Sequence, residues 1–341
     1  MVSPSSACVK NGQTVTVNVT YTVIASSGKV WTGNGQQNLG FASSLLGSSG
    51  SPGASVVAGT TGSKGLTFDL DGNLWAIGGT TVDPTLSRYP ASSLGASGAK
   101  TADITLNVGG FSCSPGASAL AFDSSGNLWV AIACANKVVR LTSSNLATSG
   151  SITPGVEISG LNAPSSLAFD SAGNLWVANS GVSRVVKYAS SRLAVSTSAA
   201  PDVSIESKTP APSINTLGVD HLAFDSASNL WVVAFAANGI YRLTATDQSG
   251  SGNKSLTPAI QVSISVSGLL EGIAFDEGGG LWVAGSAGQF LRLGSGQLTT
   301  SSTAGSPTVP ERIFTSSDVS NAGDFALYPA PAGLPLYHRL P

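Results

Sequence analysis

The chain has 341 residues and a mass of 34.0 kDa, enough for two ordinary domains, yet only 10% of its residues are charged and its formal net charge is −2. That balance supplies no positive field for a nucleic-acid backbone and no solvated charged tail, and no apolar run reaches the roughly 18 residues needed to cross a bilayer. The 41 glycines, with abundant Ser and Thr, suit many tight turns between short strands.

Residues 1–13 read as a flexible segment without an apolar signal core, so the chain is expected to start as a mature N-terminus. A single repeat domain then spans 14–341. It opens with a spare strand, Thr14-Val15-Thr16-Val17-Asn18, and a worn phrase, TVIASSGKVWTG at 22–33. The phrase returns as LTFDLDGNLWAI at 66–77, LAFDSSGNLWVA at 120–131, LAFDSAGNLWVA at 167–178, LAFDSASNLWVV at 222–233 and IAFDEGGGLWVA at 273–284. Each copy carries one of the six tryptophans: Trp31, Trp75, Trp129, Trp176, Trp231 and Trp282. A period of about 50 residues made of short strand patterns predicts a β-propeller, a ring of small sheets.

The copy at 167–178 shows the local grammar. Leu167 and Phe169 alternate as in a strand, Asp170 to Asn174 make the turn, and Leu175 to Ala178 return. Val185 to Tyr188 and Asp202 to Ile205 supply the third and fourth strands of one antiparallel blade. Period-2 alternation puts Trp176 on the face opposite Leu175 and Val177, where it packs against the neighbouring blade. The recurring Asp69, Asp123, Asp170, Asp225 and Asp276 sit at a constant turn position, which assigns them to their own hairpins rather than to a metal or to acid–base chemistry.

After the sixth tryptophan, Arg312 to Phe314 reads as an outer strand, Asp324 to Tyr328 as another inner strand, and Leu334 to Tyr337 follows. With the spare strand at 14–18, these leftovers predict a seventh blade, closed by N- and C-terminal strands; six blades is the alternative. Cys113 and Cys134 flank one hairpin and are candidates for a disulfide, leaving Cys8 over. The sequons at Asn18 and Asn253 matter only in a eukaryotic secretory host.

The phrase FDxxGNLWVA resembles the NHL-type repeat and the strictosidine-synthase-like, gluconolactonase-like and virginiamycin-B-lyase-like propellers. The resemblance covers most of the chain as architecture. It implies chemistry at the mouth of a central channel, on loops leading into the innermost strands and on loops between second and third strands, often with a divalent metal. Here the first set falls at Lys64, Ser118, Ser165, Asp220-His221, Glu271 and Asn321, and the second at Asn136, Asn179, Asn238 and Ser286. The lyase relatives rely on histidine, and this chain has only His221 and His338.

Departures from the repeat single out Asp220, His221 and Glu271, where other copies carry Ser or Ala. His221 beside a carboxylate is the candidate catalytic base, with Asp220 and Glu271 as catalytic partners. Asn179, Asp220 and Glu271 are the candidate metal ligands, three hard oxygen donors suited to Ca²⁺ or Mg²⁺. No serine nucleophile elbow and no zinc-spaced His/Cys cluster occurs, which removes covalent hydrolysis and zinc chemistry. Two classes stay open. One is a non-catalytic, monomeric, bacterial-type exported propeller, secreted, periplasmic or at the cell surface, that binds a protein, polysaccharide or small molecule through its loop face. The other is a metal-assisted lactonase or lyase acting at the channel mouth.

Overall fold

The computed structural model describes residues 29–34, 37–59, 65–79, 84–108, 117–207, 219–234, 239–265, 268–276, 278–319 and 323–328. These form six sheets of four or five strands, each with four antiparallel strands, arranged as the blades of a β-propeller. Blade three shows the plan: Ala117–Phe122, Leu128–Ile132, Lys137–Leu141 and Val156–Ile158 follow one another from the axis outward. The innermost strands of the six blades, taken around the ring, are Phe325–Tyr328, Leu66–Phe68, Ala117–Phe122, Pro164–Phe169, Val219–Phe224 and Leu270–Phe275.

Among the described residues the seventh blade expected from the tail does not form, and the sheets make the alternative of six. Phe325–Tyr328 is not the start of a new blade. It runs antiparallel to Lys29–Gly33, pairing Trp31 with Ala326, and serves as the inner strand of the Trp31 blade. That blade had no inner strand of its own in the described sequence, so the leftover completes it. The spare strand at 14–18 and the Leu334–Tyr337 segment lie outside the described residues.

Each tryptophan seals a junction. All six are buried, at 5% exposure or less. In five junctions the ring meets the phenylalanine of the next inner strand edge-on, as in Trp129–Phe169 at 6.0 Å and 65°. At the sixth, Trp282 stacks instead on Phe314 at 5.7 Å and 20°, within a cluster that includes Phe290 and Phe325.

The turn aspartates do more than close their hairpins. Asp123 Oδ1 accepts the Ser125 and Asn127 amides, and its Oδ2 accepts the indole N–H of Trp129 at 2.9 Å. The same indole–carboxylate bond, at 2.9 Å, recurs at Asp69, Asp170, Asp225 and Asp276. Gly72, Gly126, Gly173 and Gly279 hold the positive φ this turn requires.

The sixth copy departs from the others in a compensated way. Gly280 replaces the usual asparagine, and Arg292 fills the vacated space to pair with Asp276 at 2.5 Å. Burial opposes the charge on Asp276, but Arg292 and the turn amides hold it below the ordinary carboxylate range. A β-carbon at 280 would overlap the Arg292 guanidinium. Restoring the repeat's own residue, Gly280→Asn, is therefore expected to destabilise by about 1–3 kcal/mol through overpacking. Urea unfolding measures this, and an unchanged midpoint would refute it.

At the outer edge the blades are joined again. The link before each fourth strand reaches back to the outer strand of the preceding blade and pairs with it in parallel. Gly98–Lys100 pairs with Val56–Ala58, Gly150–Ile152 with Ile104–Val108, and Gly252–Leu256 with Val203–Ser207. Single bridges, Thr197 to Ile158, Thr308 to Ile264 and Gly50 to Phe314, complete the set across all six junctions.

Candidate functional site

A propeller blade faces its neighbours, so its inner strand turns an edge of backbone toward the axis. The six inner strands line a central cavity of about 160 Å³. Alanine at 121, 168, 223, 274 and 326, with Thr67, keeps these strands small enough to converge. The strand starts mark one mouth of this channel, and the aspartate turns mark the other.

At the strand starts, hydroxyls staple blade to blade. Ser118 Oγ donates to the Pro164 carbonyl at 2.7 Å, and Ser165 Oγ donates to the Asp220 carbonyl at 2.7 Å. Ser166 Oγ accepts the Leu222 amide at 3.1 Å. Blades five, six and one replace these small residues with ionisable ones. Asp220 and Glu271 stand where Ser118 and Ser165 stand, and His221 and Asp324 stand where Ser166 stands.

His221 is 9% exposed, with Nδ1 3.3 Å from Oδ2 of Asp220. Burial disfavours its charged form and is the largest single influence. The carboxylates of Asp220, Asp324 and Glu271 together outweigh it and push the imidazole up to about 9. At neutral pH it is therefore a cation, able to give a proton and not to take one. Asp324 is pushed up to about 6, chiefly by burial and partly by Asp220, against the pull of His221. Its Oδ1 accepts the Phe325 amide at 2.9 Å, and its carboxylate also accepts the Leu66 amide of blade two. Asp324 thus repeats the stapling role of Ser166 while adding charge to the mouth.

The structure brings Asp220, His221 and Glu271 into one electrostatic neighbourhood and adds Asp324, which the repeat count had assigned to another blade. Asn179 lies one strand further from the axis. Its Oδ1 accepts the Asn162 amide at 2.6 Å, tying down the link into blade four. Ser286 does the same for Leu269, and Asn136 for Ala163. These second-set residues hold loops in place. Among the described residues no three His, Cys, Asp or Glu side chains group together as metal ligands. Lys64, Asn238, Asn321 and His338 lie outside the described residues. Cys134 is disulfide-bonded; Cys113 and Cys8 are outside the described residues.

No protein family model matches the sequence, and no curated protein matches it. Similarity is found among solved structures, at the level of fold. A protein of unknown function from Bacteroides caccae aligns with a TM-score of 0.55 at 10% identity, over 84% of this chain and 97% of its own. Virginiamycin B lyase from Staphylococcus aureus aligns at 0.43 with 16% identity, over 69% of this chain and 67% of the lyase. An extracellular domain from B. thetaiotaomicron aligns at 0.49 with 13% identity, over 79% of this chain and 33% of that one. What the chain shares with these proteins is the β-propeller.

Proposed function

We propose that the protein is an exported binding module that holds a hydroxyl- or amine-bearing stretch of a polysaccharide or peptide at the mouth carrying Asp220, His221, Glu271 and Asp324. One observation carries this reading: three successive blades place ionisable groups where two of the others carry serine and alanine. Three carboxylates against one imidazolium leave that side of the mouth acidic, which favours cationic and hydroxyl donors. The disulfide at Cys134 supports an oxidising compartment.

The competing reading, a lactonase or lyase working through a metal, has less behind it, because Asn179 is occupied by its own loop. Two titrations separate them. A glucosamine tetramer is expected to bind the protein by calorimetry, and Glu271→Gln to weaken it about tenfold with little change in Tm. Millimolar calcium is expected to leave Tm unmoved. A calcium-dependent rise would instead favour the metal reading, since an ion bound to the native state stabilises by mass action. Equal affinity of the wild type and Glu271→Gln would remove the mouth from the binding reading.

A further inference from the structure

We propose a second ligand site at the junction of blades one and two, fitted to a small polyhydroxylated acid such as a uronate. It lies apart from the channel mouth and does not depend on the reading above. The observation behind it is a break in the repeat at one cross-strand pair. In blades three to six the pair next to the tryptophan is Val130–Val139, Val177–Val186, Val232–Tyr241 and Val283–Leu291, filling the junction with apolar volume. In blade two the same pair is Ala76–Ser87. Ala76 and Ser87 line a cavity of about 270 Å³, against about 160 Å³ for the central channel.

The walls of this cavity are polar. Asn38 and Tyr89 are 3% and 5% exposed, and Ser87, Thr85, Thr101 and Lys100 complete the hydrogen-bonding surface. Asn38 Nδ2 donates to the Ala58 carbonyl at 3.1 Å, which fixes the amide against the wall. The Tyr89 hydroxyl rests against Gly59, whose φ is +88° and where a β-carbon would come within 2.6 Å of that oxygen. Any side chain there would displace the hydroxyl.

Tyr89 and Ser87 share a side-chain hydrogen bond along this half-open space, so its wall stays polar where two valines would have made it apolar. The lining has hydroxyls, an amide and one ammonium, and no carboxylate. Lys100 Nζ gives one of its donors to the Ser97 carbonyl at 3.1 Å, and an ammonium has three. That chemistry selects a ligand rich in hydroxyls with one negative charge. The volume lies just under the range usual for drug-sized ligands and suits a single sugar ring.

The test titrates glucuronate and glucose separately into the wild-type protein by ligand-observed NMR and calorimetry. Glucuronate is expected to saturate, with glucose weaker. Lys100→Ala, at the outer edge, is expected to weaken glucuronate about tenfold and leave glucose unchanged. Ser87→Val, the repeat's own residue, is expected to abolish both, with near-UV circular dichroism reporting that it has folded. Glu271→Gln is expected to bind glucuronate as the wild type does, which separates this site from the mouth. No saturation by either sugar at tens of millimolar, or equal affinity for the two, would overturn the assignment, as would wild-type binding by a folded Ser87→Val.

Discussion

Trp129→Ala is expected to cost about 3–5 kcal/mol, the loss of a wholly buried indole together with the cavity it leaves. The ring seals blade three against Phe169 and also gives its N–H to Asp123, so two kinds of interaction end with one substitution. Asp123→Ala is expected to cost about 3 kcal/mol, because the indole and two turn amides lose their acceptor together. The two losses overlap, and the double variant should fall short of their sum. Trp31 supplies the control. Its blade has Tyr328 where the others have the aspartate, and its Nε1 has no hydrogen-bond partner among the described residues. Trp31→Phe should therefore be milder than Trp129→Phe by about 1 kcal/mol. Chemical denaturation of the five variants measures this, and equal costs for the two Phe substitutions would show that the indole–carboxylate bond contributes nothing.

The second large effect is a pH dependence at the channel mouth. His221→Gln is expected to cost on the order of 3 kcal/mol near pH 6 and almost nothing near pH 9.5. The folded imidazole titrates at about 9 against 6.5 for the free side chain. Folding therefore takes up a proton between those values, and the stability linked to it is fully present below pH 6.5 and lost as pH rises through 9. Asp324 moves in the same sense. Its folded value of about 6 against 3.8 means that its buried charge is a penalty above pH 6, relieved as pH falls toward 4. Urea midpoints for wild type and His221→Gln from pH 6 to 9.5 should converge as pH rises. A constant gap would show that His221 stabilises by packing and not by charge.

The ring, the tryptophan junctions and the turn aspartates were legible because each copy repeats its own local chemistry. Asp, Gly and Asn fall at fixed places in a hairpin, and alternation alone assigns the faces. The blade count was not legible for a physical reason. Strand Phe325–Tyr328 pairs with residues nearly three hundred positions away, and a local pattern carries no information about that partner. The same misassignment hid Asp324, which occupies in blade one the position that His221 occupies in blade five. The indole–carboxylate bond was available in the constant six-residue offset between each Asp and Trp, although nothing in strand periodicity asks for it. Asp220, His221 and Glu271 stood out because they break the repeat. Asn179 was selected by loop position alone, and the structure gives it the ordinary work of holding a loop.

The parallel pairings at the outer edge bear on how the molecule fails. Open solenoids fray from a terminal repeat, because each unit leans only on its neighbours. Here every wedge is latched to the next at the rim as well as at the hub, so releasing one strips contacts from both sides. The molecule should come apart all at once, resisting proteases until it does, and show no plateau in which some wedges have melted and others have not.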